Sequence, residues 1–495
     1  MPSNPNQTDG TEAPSVRAGR FTRFTVFDGE PGGGLPDGGA GGGLPDGGAG
    51  GGGSGGGPRG GSGGGPRGGS GGGLGGERTI SLREPSTAAT AATTASQPIK
   101  VVLDASAVPA EPVGVGRYVR GLAGALGSRI DVVLQLVCRR GDAARWVLAN
   151  PAAGELAKQR GRVLGGPMAV VPVSRPARLV FEQLGMGRVV DRVGADVYHG
   201  PHYTLPRGCR VPKVVTVHDL TFFDHPEWHE PWKGVFFRHA IRTATKAADV
   251  IICDSHATAR RLEVHCRPNG LVSVVHLGVD PVWFSPLEQD AGGDPDSGRD
   301  RDGGGDRELL ESVGVSGPYV AFVGTIEPRK DVPGLVRAFD RVAGDDPELS
   351  LVLAGRNGWG TSEAEDAVSA SRHASRIVRL GYVPDRVVRA LLRSARVVAY
   401  PSLEEGFGLP VLEAMACGSP VITTRGSAME EVAGEVAWLV SPGDVDDLEQ
   451  AIRSALAESS DALRSRRKAG IEKASEYTWE AAGRRHVDAY RAALR

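Results

Sequence analysis

The chain has no run of about 18 or more apolar residues, so no membrane-spanning helix is expected. Cysteine is scarce. Cys138, Cys209, Cys253, Cys266 and Cys417 are odd in number, widely spaced and without a Cys-x-x-Cys pair. That pattern speaks against a disulfide framework or zinc ribbon and for a reducing compartment, so a cytoplasmic location is the expectation. Cys253 and Cys417 fall in apolar runs and read as small buried hydrophobes. Aromatic residues make up 5% of the chain, few for a platform that stacks single-stranded nucleic acid. No excess of one charge exists either. The formal net charge is -2, which favours neither nucleic acid as a partner nor a solvating acidic chain. The first ten residues are polar and lack an apolar centre, so no secretory signal is expected.

Glycine is the residue in excess, at 73 of 495. Much of it lies in one early tract, where GGGLPDGGA repeats from Gly32 and SGGGPRGG repeats from Ser54. Ordering glycine costs the most backbone entropy, and this tract has little apolar surface to offset it. Residues 1–97 are therefore expected to be a disordered, Gly-rich leader. The alternative is an interaction tail using Arg59 and Arg67.

From Ile99 onward, short β-branched runs alternate with helical periodicity. IKVVLDAS, DVVLQLVC, VVTVHD, DVIICDS and VSVVHLG read as strands, with helices over Pro231 to Ala248 and Ser255 to Cys266 among those between them. A polar, Gly-rich stretch containing DAGGDPDSGRDRDGGGD then breaks the pattern. It restarts with GPYVAFVG, LSLVLAG, RIVRLG, ARVVAYPS and SPVITT. Such alternation predicts doubly wound parallel sheets covered by helices on both faces. The expected plan is an N-terminal Rossmann-like domain over 98–286, a linker over 287–315 and a C-terminal Rossmann-like domain over 316–480. A last helix over 481–495 is expected to return to the first domain. In such folds ligands sit beyond the carboxyl ends of the strands, and two domains make the cleft between them the natural site.

The segment SLEEGFGLPVLEAMACGSPVI, from Ser402, follows a strand, passes Gly406-Phe407-Gly408 and enters a helix. Pro410 suits the first helical turn. The free N–H groups and partial positive charge of that helix start form a site for a diphosphate. Glu405 and Glu413 offer carboxylate acceptors for sugar or ribose hydroxyls. Taken alone, Glu413 fits a surface helix position equally well. In VGTIEPRKD, from Val323, Arg329 and Lys330 follow a strand end. There they can stabilise negative charge on a departing diphosphate. Gly114 and Gly116 let a ligand approach the backbone before the first helix. His218 closes the strand VVTVHD with a pKa near working pH, and Asp219 is placed to orient it. His218, Asp219, Asp224, His225 and His229 cluster in sequence, but only His225 and His229 have a metal-pair spacing. The Asp-x-Asp elements at 294–296 and 444–446 fall in a linker and at a helix start. No metal is expected.

These segments resemble the donor-binding motifs of glycosyltransferase family 4, from about residue 99 to the C-terminus. In that family two glutamates are separated by seven residues, as Glu405 and Glu413 are. The resemblance implies a GT-B fold of two Rossmann-like domains facing a cleft. It implies ribose binding by Glu413, with donor sugar and phosphate contacts at Glu405, Gly406, Phe407, Gly408 and Leu409. Lys330 matches the family's phosphate-loop Lys. Thr325 stands where many members have Arg, and Arg329 is the candidate to compensate. GVGRYVRGLAGAL resembles the family's N-terminal glycine loop, with Val113-Gly114 in place of Gly-Gly. VTVHDLTFFDHPEW resembles mannosyltransferase members and favours an active-site role for His218.

The expected activity is metal-independent, retaining transfer of a hexosyl group, mannosyl from GDP-mannose first, to a glycan or lipid-linked acceptor, with no cofactor. A nucleotide-sugar epimerase and a degenerate nucleotide-sugar-binding protein are the alternatives. The helix bearing Trp232, Phe236, Phe237, Lys233, Arg238, Arg242 and Lys246 has two readings. One is a core-facing stripe with a basic outer face; the other is peripheral contact with the inner membrane face.

Overall fold

The computed structural model describes residues 97–495 apart from 109–113, 140–141, 143–145, 147–164, 172–173, 282–283 and 287–302. The leader up to residue 96, with Arg59 and Arg67, and most of the linker, with Asp294 and Asp296, lie outside the described residues.

Two parallel sheets organise the rest. The first holds β1 (Ile99–Asp104), β2 (Val132–Arg139), β3 (Gly165–Val171), β4 (Val197–Gly200), β5 (Lys213–Val217), β6 (Val250–Cys253) and β7 (Leu271–Val274). Their order is β3-β2-β1-β4-β5-β6-β7. The second holds β8 (Tyr319–Val323), β9 (Ser350–Ala354), β10 (Ile377–Gly381), β11 (Val397–Tyr400), β12 (Val421–Thr424) and β13 (Trp438–Val440), ordered β10-β9-β8-β11-β12-β13. Both sheets are covered by helices, so their strands are apolar on both faces: β6 (VIIC) and β11 (VVAY) are buried at every position. Strands β3, β4 and β13 were not among the sequence candidates. They are short or Gly-rich and carry weak periodicity.

The helices that position the site are α1 (Val115–Gly127), α2 (Pro231–Ala247), α3 (His256–Cys266), α4 (Gly303–Ser312), α5 (Asp385–Ser394), α6 (Leu409–Ala416), α7 (Ala428–Ala433) and α8 (Trp479–Ala493). Strand order reverses between β1 and β4 and between β8 and β11. The carboxyl ends of β1, β8 and β11 therefore lie at the crevices where such sheets take ligands. Lys330 and Gly408 stand in the loops that leave β8 and β11.

Helix α4 corrects the linker boundary. Its glycine-rich start hid a helix that buries Leu310 and pairs Asp306 with Arg393 at 3.2 Å. Helix α8 lies on α1, where the Trp479 ring covers Gly121; a Cβ there would stand 2.1 Å from the ring. Beneath it, the Tyr118 hydroxyl meets Thr216 Oγ1 at 2.8 Å and His486 Nε2 at 2.9 Å, and Tyr490 Oη meets His199 Nδ1 at 2.8 Å. This buried polar network fixes α1 in the first sheet's layer. The chain reaches α8 through a bridge in which Val279 N–H donates to Tyr477 O at 3.0 Å.

Candidate functional site

Beyond β8, residues Pro328–Lys330 form a short 3-10 turn ended by Asp331 at φ 47°. Aspartate tolerates this left-handed backbone, and its carboxylate caps the next helix by accepting from Gly334 N at 3.0 Å. The turn aims both cations at Glu405. Lys330 Nζ donates to Glu405 Oε1, and Arg329 Nη1 lies 2.5 Å from Glu405 Oε2 while its Nε reaches Glu327 at 2.7 Å. Leu403 N–H donates to Arg329 O at 2.7 Å and ties the two loops together. Burial alone would push the Glu405 carboxyl up, but the two cations outweigh it and hold the pKa down to about 2. Burial and the neighbouring Arg329 lower the Lys330 pKa. The result is an ionised carboxylate with two cation neighbours, Lys330 buried and Arg329 partly exposed.

Helix α6 begins four residues after Glu405. Gly408 sits at φ 107°, a left-handed conformation that suits glycine, and any Cβ would strike Met429. Pro410 lies in the first turn, so the remaining N–H groups and the helix dipole face the loop. Glu413 is buried on α6, and burial raises its pKa against the opposing Arg117 cation.

The first half closes over this loop from the ends of β5 and β6. A Cβ on Gly406 would stand 1.8 Å from His218 O. The Ser255 and Thr258 hydroxyls donate to Gly406 O at 2.8 and 3.0 Å. Phe407 is buried against His276 and Tyr477. From α1, Arg117 donates to Glu413 and, at 2.8 Å, to Asp385 at the start of α5.

His218 is buried, with both ring nitrogens engaged. Nε2 donates to Pro201 O at 2.8 Å, and Nδ1 lies 2.6 Å from Asp254 Oδ2. Burial lowers the imidazole pKa, but the Asp254 carboxylate overcomes it and the net shift is upward. The orienting carboxylate is therefore Asp254 and not Asp219, whose Oδ1 accepts from the Thr221 hydroxyl at 2.9 Å. His218 touches the glycine loop through its carbonyl. Gly116 lines a cavity of about 140 Å³ with Asp104, Val108, Pro201 and His202, while a Cβ on Gly114 at φ 48° would meet open space. Thr325 lies in the loop after β8, its methyl 3.0 Å from where a Cβ on Gly358 would stand. Leu409 is the first residue of α6.

A second cavity, of about 210 Å³, lies between the halves and is lined by Thr258, Arg260, Arg261, Glu404, Glu405 and Arg425. Glu404 pairs with Arg261 at 2.6 Å and His225 at 3.4 Å. Burial, opposed by Arg261, raises its pKa to about 7. Adjacent glutamates thus carry opposite shifts. Sequence reasoning missed Arg117, Asp254, Glu404 and Asp385. Their partners are distant in the chain, and only the doubled glutamate in Leu403-Glu404-Glu405 was a local signal.

The histidine and aspartate cluster near His218 disperses. Asp224 takes Arg261 and His265, His225 stacks on Trp228 at 3.7 Å, and His229 bonds Thr221 at 3.0 Å. Among the described residues, His256, His276 and Glu431 have ligand atoms close enough to hold a metal ion. Glu431 already accepts from His276 and from the backbone N–H groups of His256 and Ala257. The aromatic stripe of α2 splits between two faces. Phe237 packs inward, whereas Trp232, Val235 and Phe236 are 65%, 62% and 38% exposed. No helix among the described residues is long and apolar enough to cross a membrane.

Two Rossmann-like halves whose strand-end loops meet around buried cations and glutamates define a GT-B glycosyltransferase. A family model described as Glycosyltransferase Family 4 matches residues 112–283, and one described as Glycosyl transferases group 1 matches 317–458. The chain belongs to glycosyltransferase family 4. It is 29% identical over 299 residues to O-antigen chain mannosyltransferase B of Escherichia coli, covering 60% of this chain and 74% of the relative. It is 31% identical over 301 residues to the MMP alpha-(1->4)-mannosyltransferase of Mycolicibacterium hassiacum, covering 57% and 66%. In fold it is similar to a sucrose-phosphate synthase from Thermosynechococcus elongatus, at TM-score 0.58, 20% identity and 79% and 98% coverage. Anabaena HepE in complex with UDP and glucose gives TM-score 0.57 at 18% identity, with 79% and 98% coverage.

Proposed function

We propose that this glycosyltransferase transfers a mannosyl group from GDP-mannose, with retention of anomeric configuration and without a metal. The observation that carries the reading is the convergence of Arg329 and Lys330 on Glu405, just before the N-terminus of α6. Two cations, Lys330 buried and Arg329 half-buried, and a helix dipole supply the charge that a departing diphosphate needs, the work a divalent ion does elsewhere. Glu405 then takes donor-sugar hydroxyls and Glu413 the ribose. A carboxylate held at a pKa of about 2 by two cations is a weak nucleophile, and His218 has both nitrogens occupied. Both facts favour one displacement on a single face: the sugar–phosphate bond breaks, the acceptor oxygen bonds to the anomeric carbon, and the acceptor proton passes to the departing phosphate oxygen.

The guanine choice draws on Asp385. Its carboxylate and that of Glu413 are spanned by one guanidinium. A guanosine can engage the same pair, with ribose hydroxyls on Glu413 and the two adjacent N–H donors of the guanine edge on Asp385; uracil has only one such N–H. The mannosyltransferase relatives favour mannose.

Thermal melts with a panel of nucleotide sugars test the donor. A ligand at about 100 times its Kd adds about 2.7 kcal/mol. Stabilisation by GDP-mannose above UDP-sugars is expected, and no shift with any nucleotide sugar refutes the reading.

The acceptor fits a lipid-linked glycan. The outer face of α2 combines Trp232, Val235 and Phe236 with Arg242 and Lys246, the mixture that binds an anionic bilayer surface. Sedimentation with phosphatidylglycerol vesicles, lost in a Trp232→Ser, Phe236→Ser double variant, is the expected result. Equal sedimentation of both proteins contradicts the membrane contact.

A further inference from the structure

Arg117 has no task in the donor reading, yet its setting is unlike that of an idle surface cation. Its side chain is only 25% exposed. It donates to Glu413 and Asp385, the two carboxylates assigned above to ribose and base. Glu413 is buried on α6, and a buried carboxylate stripped of its cation is costly. Something must therefore cover Glu413 whenever no donor is present. Nearby, the Tyr400 hydroxyl is buried without a hydrogen-bond partner and lies within the electrostatic reach of Glu413 and Arg117. Arg117 is also delivered by a rigid element. The next residue, Tyr118, is anchored to Thr216 and His486, and Trp479 locks the same helix at Gly121.

We propose that Arg117 is a built-in competitor for the nucleoside subsite, one that a nucleoside diphosphate dislodges far better than a nucleoside alone. The proposal rests on the donor reading above. When ribose takes Glu413 and the base takes Asp385, the guanidinium loses both acceptors. A bare nucleoside offers it nothing in exchange. A nucleoside diphosphate offers phosphate oxygens beside the ribose, which a guanidinium grips in the same forked manner as a carboxylate. Arg117 then joins Arg329 and Lys330 as a third cation on the diphosphate. The exchange makes the pocket selective for phosphate-bearing ligands. It also couples donor entry to the breaking of a contact between the halves.

Calorimetric titration of the full chain with guanosine and with GDP tests this through the ratio of their dissociation constants. In the wild type the ratio is large, because guanosine must displace Arg117 uncompensated. In Arg117→Ala guanosine binds more tightly, GDP binds less tightly, and the ratio falls by about tenfold or more, the scale of one charge-assisted hydrogen bond. An unchanged ratio overturns the proposal, since a merely structural role for Arg117 weakens both ligands alike. Should Arg117→Ala fail to fold, Arg117→Lys decides. Lysine keeps the charge but cannot fork between two carboxylates, so the ratio falls there too, and constancy again refutes the exchange. If wild-type protein binds GDP no better than buffer but binds UDP, uridine and UDP replace the pair. If it binds neither diphosphate, the donor reading itself has failed.

Discussion

The C-terminal half assembles its share of the site from two short loops and one helix start, whereas the N-terminal half assembles its share from the ends of separate elements. Residues 323–331 and 402–413 contain Lys330, Arg329, Glu405 and Glu413, and the backbone bond from Leu403 to Arg329 zips these loops together. Arg117 arrives on α1, His218 just past the end of β5, Asp254 just past the end of β6, and Ser255 and Thr258 at the start of α3. The first arrangement persists as long as one sheet is folded. The second acts on the Gly406 loop and α6 only while the two halves touch, through Gly406 O and the Arg117 ion pairs. The ion cluster around Glu405 therefore belongs to one half and the contacts that close over its loop to the other.

Substitutions can separate these two contributions. The largest effect is expected from Lys330→Ala, which removes a buried cation from the departing diphosphate. Steady-state assays should show kcat lower by about 100- to 1000-fold, with the contact between halves intact. Gly406→Ala attacks closure instead. The added methyl would stand 1.8 Å from His218 O, so the halves must part or the loop must shift. Overpacking of this kind costs about 1–3 kcal/mol, read as a lower Tm with loss of transfer and a smaller loss of GDP binding. The smallest effect concerns the His218–Asp254 pair. Asp254 raises the imidazole pKa, so its stabilisation is fully present below the unfolded value of about 6.5 and is lost as pH rises through the raised folded value. Asp254→Asn should be less stable than the wild type by about 1 kcal/mol in mild acid, and the gap should narrow toward alkaline pH. A gap that widens with pH contradicts the assigned charge state.

The same contrast explains what the sequence could disclose. Apolar β-branched runs revealed most of both sheets, because strands covered on both faces carry continuous hydrophobic signal. The loops at 323–331 and 402–413 were legible for a local reason: in the second, a strand, a glycine turn, a proline in the first helical turn and a glutamate on the same helix about one turn later are consecutive. Arg117 was not, since its acceptor Glu413 lies 296 residues away. Proximity in the chain pointed to Asp219 as the partner of His218, yet the sheet brings β6 alongside β5 and supplies Asp254, 36 residues on. Helical period marked the aromatic residues of α2 but could not say which of two faces meets the core. Helix α4 was hidden behind three glycines whose low propensity is overridden by the burial of Leu310 and the Asp306–Arg393 pair.

The most direct test of the donor grip is calorimetric titration of GDP into wild-type protein and Glu413→Ala. Loss of the ribose acceptor should weaken binding by about 10- to 100-fold, the scale of hydrogen bonds to a charged group. Equal affinities in the two proteins would contradict the placement of the nucleotide on α6.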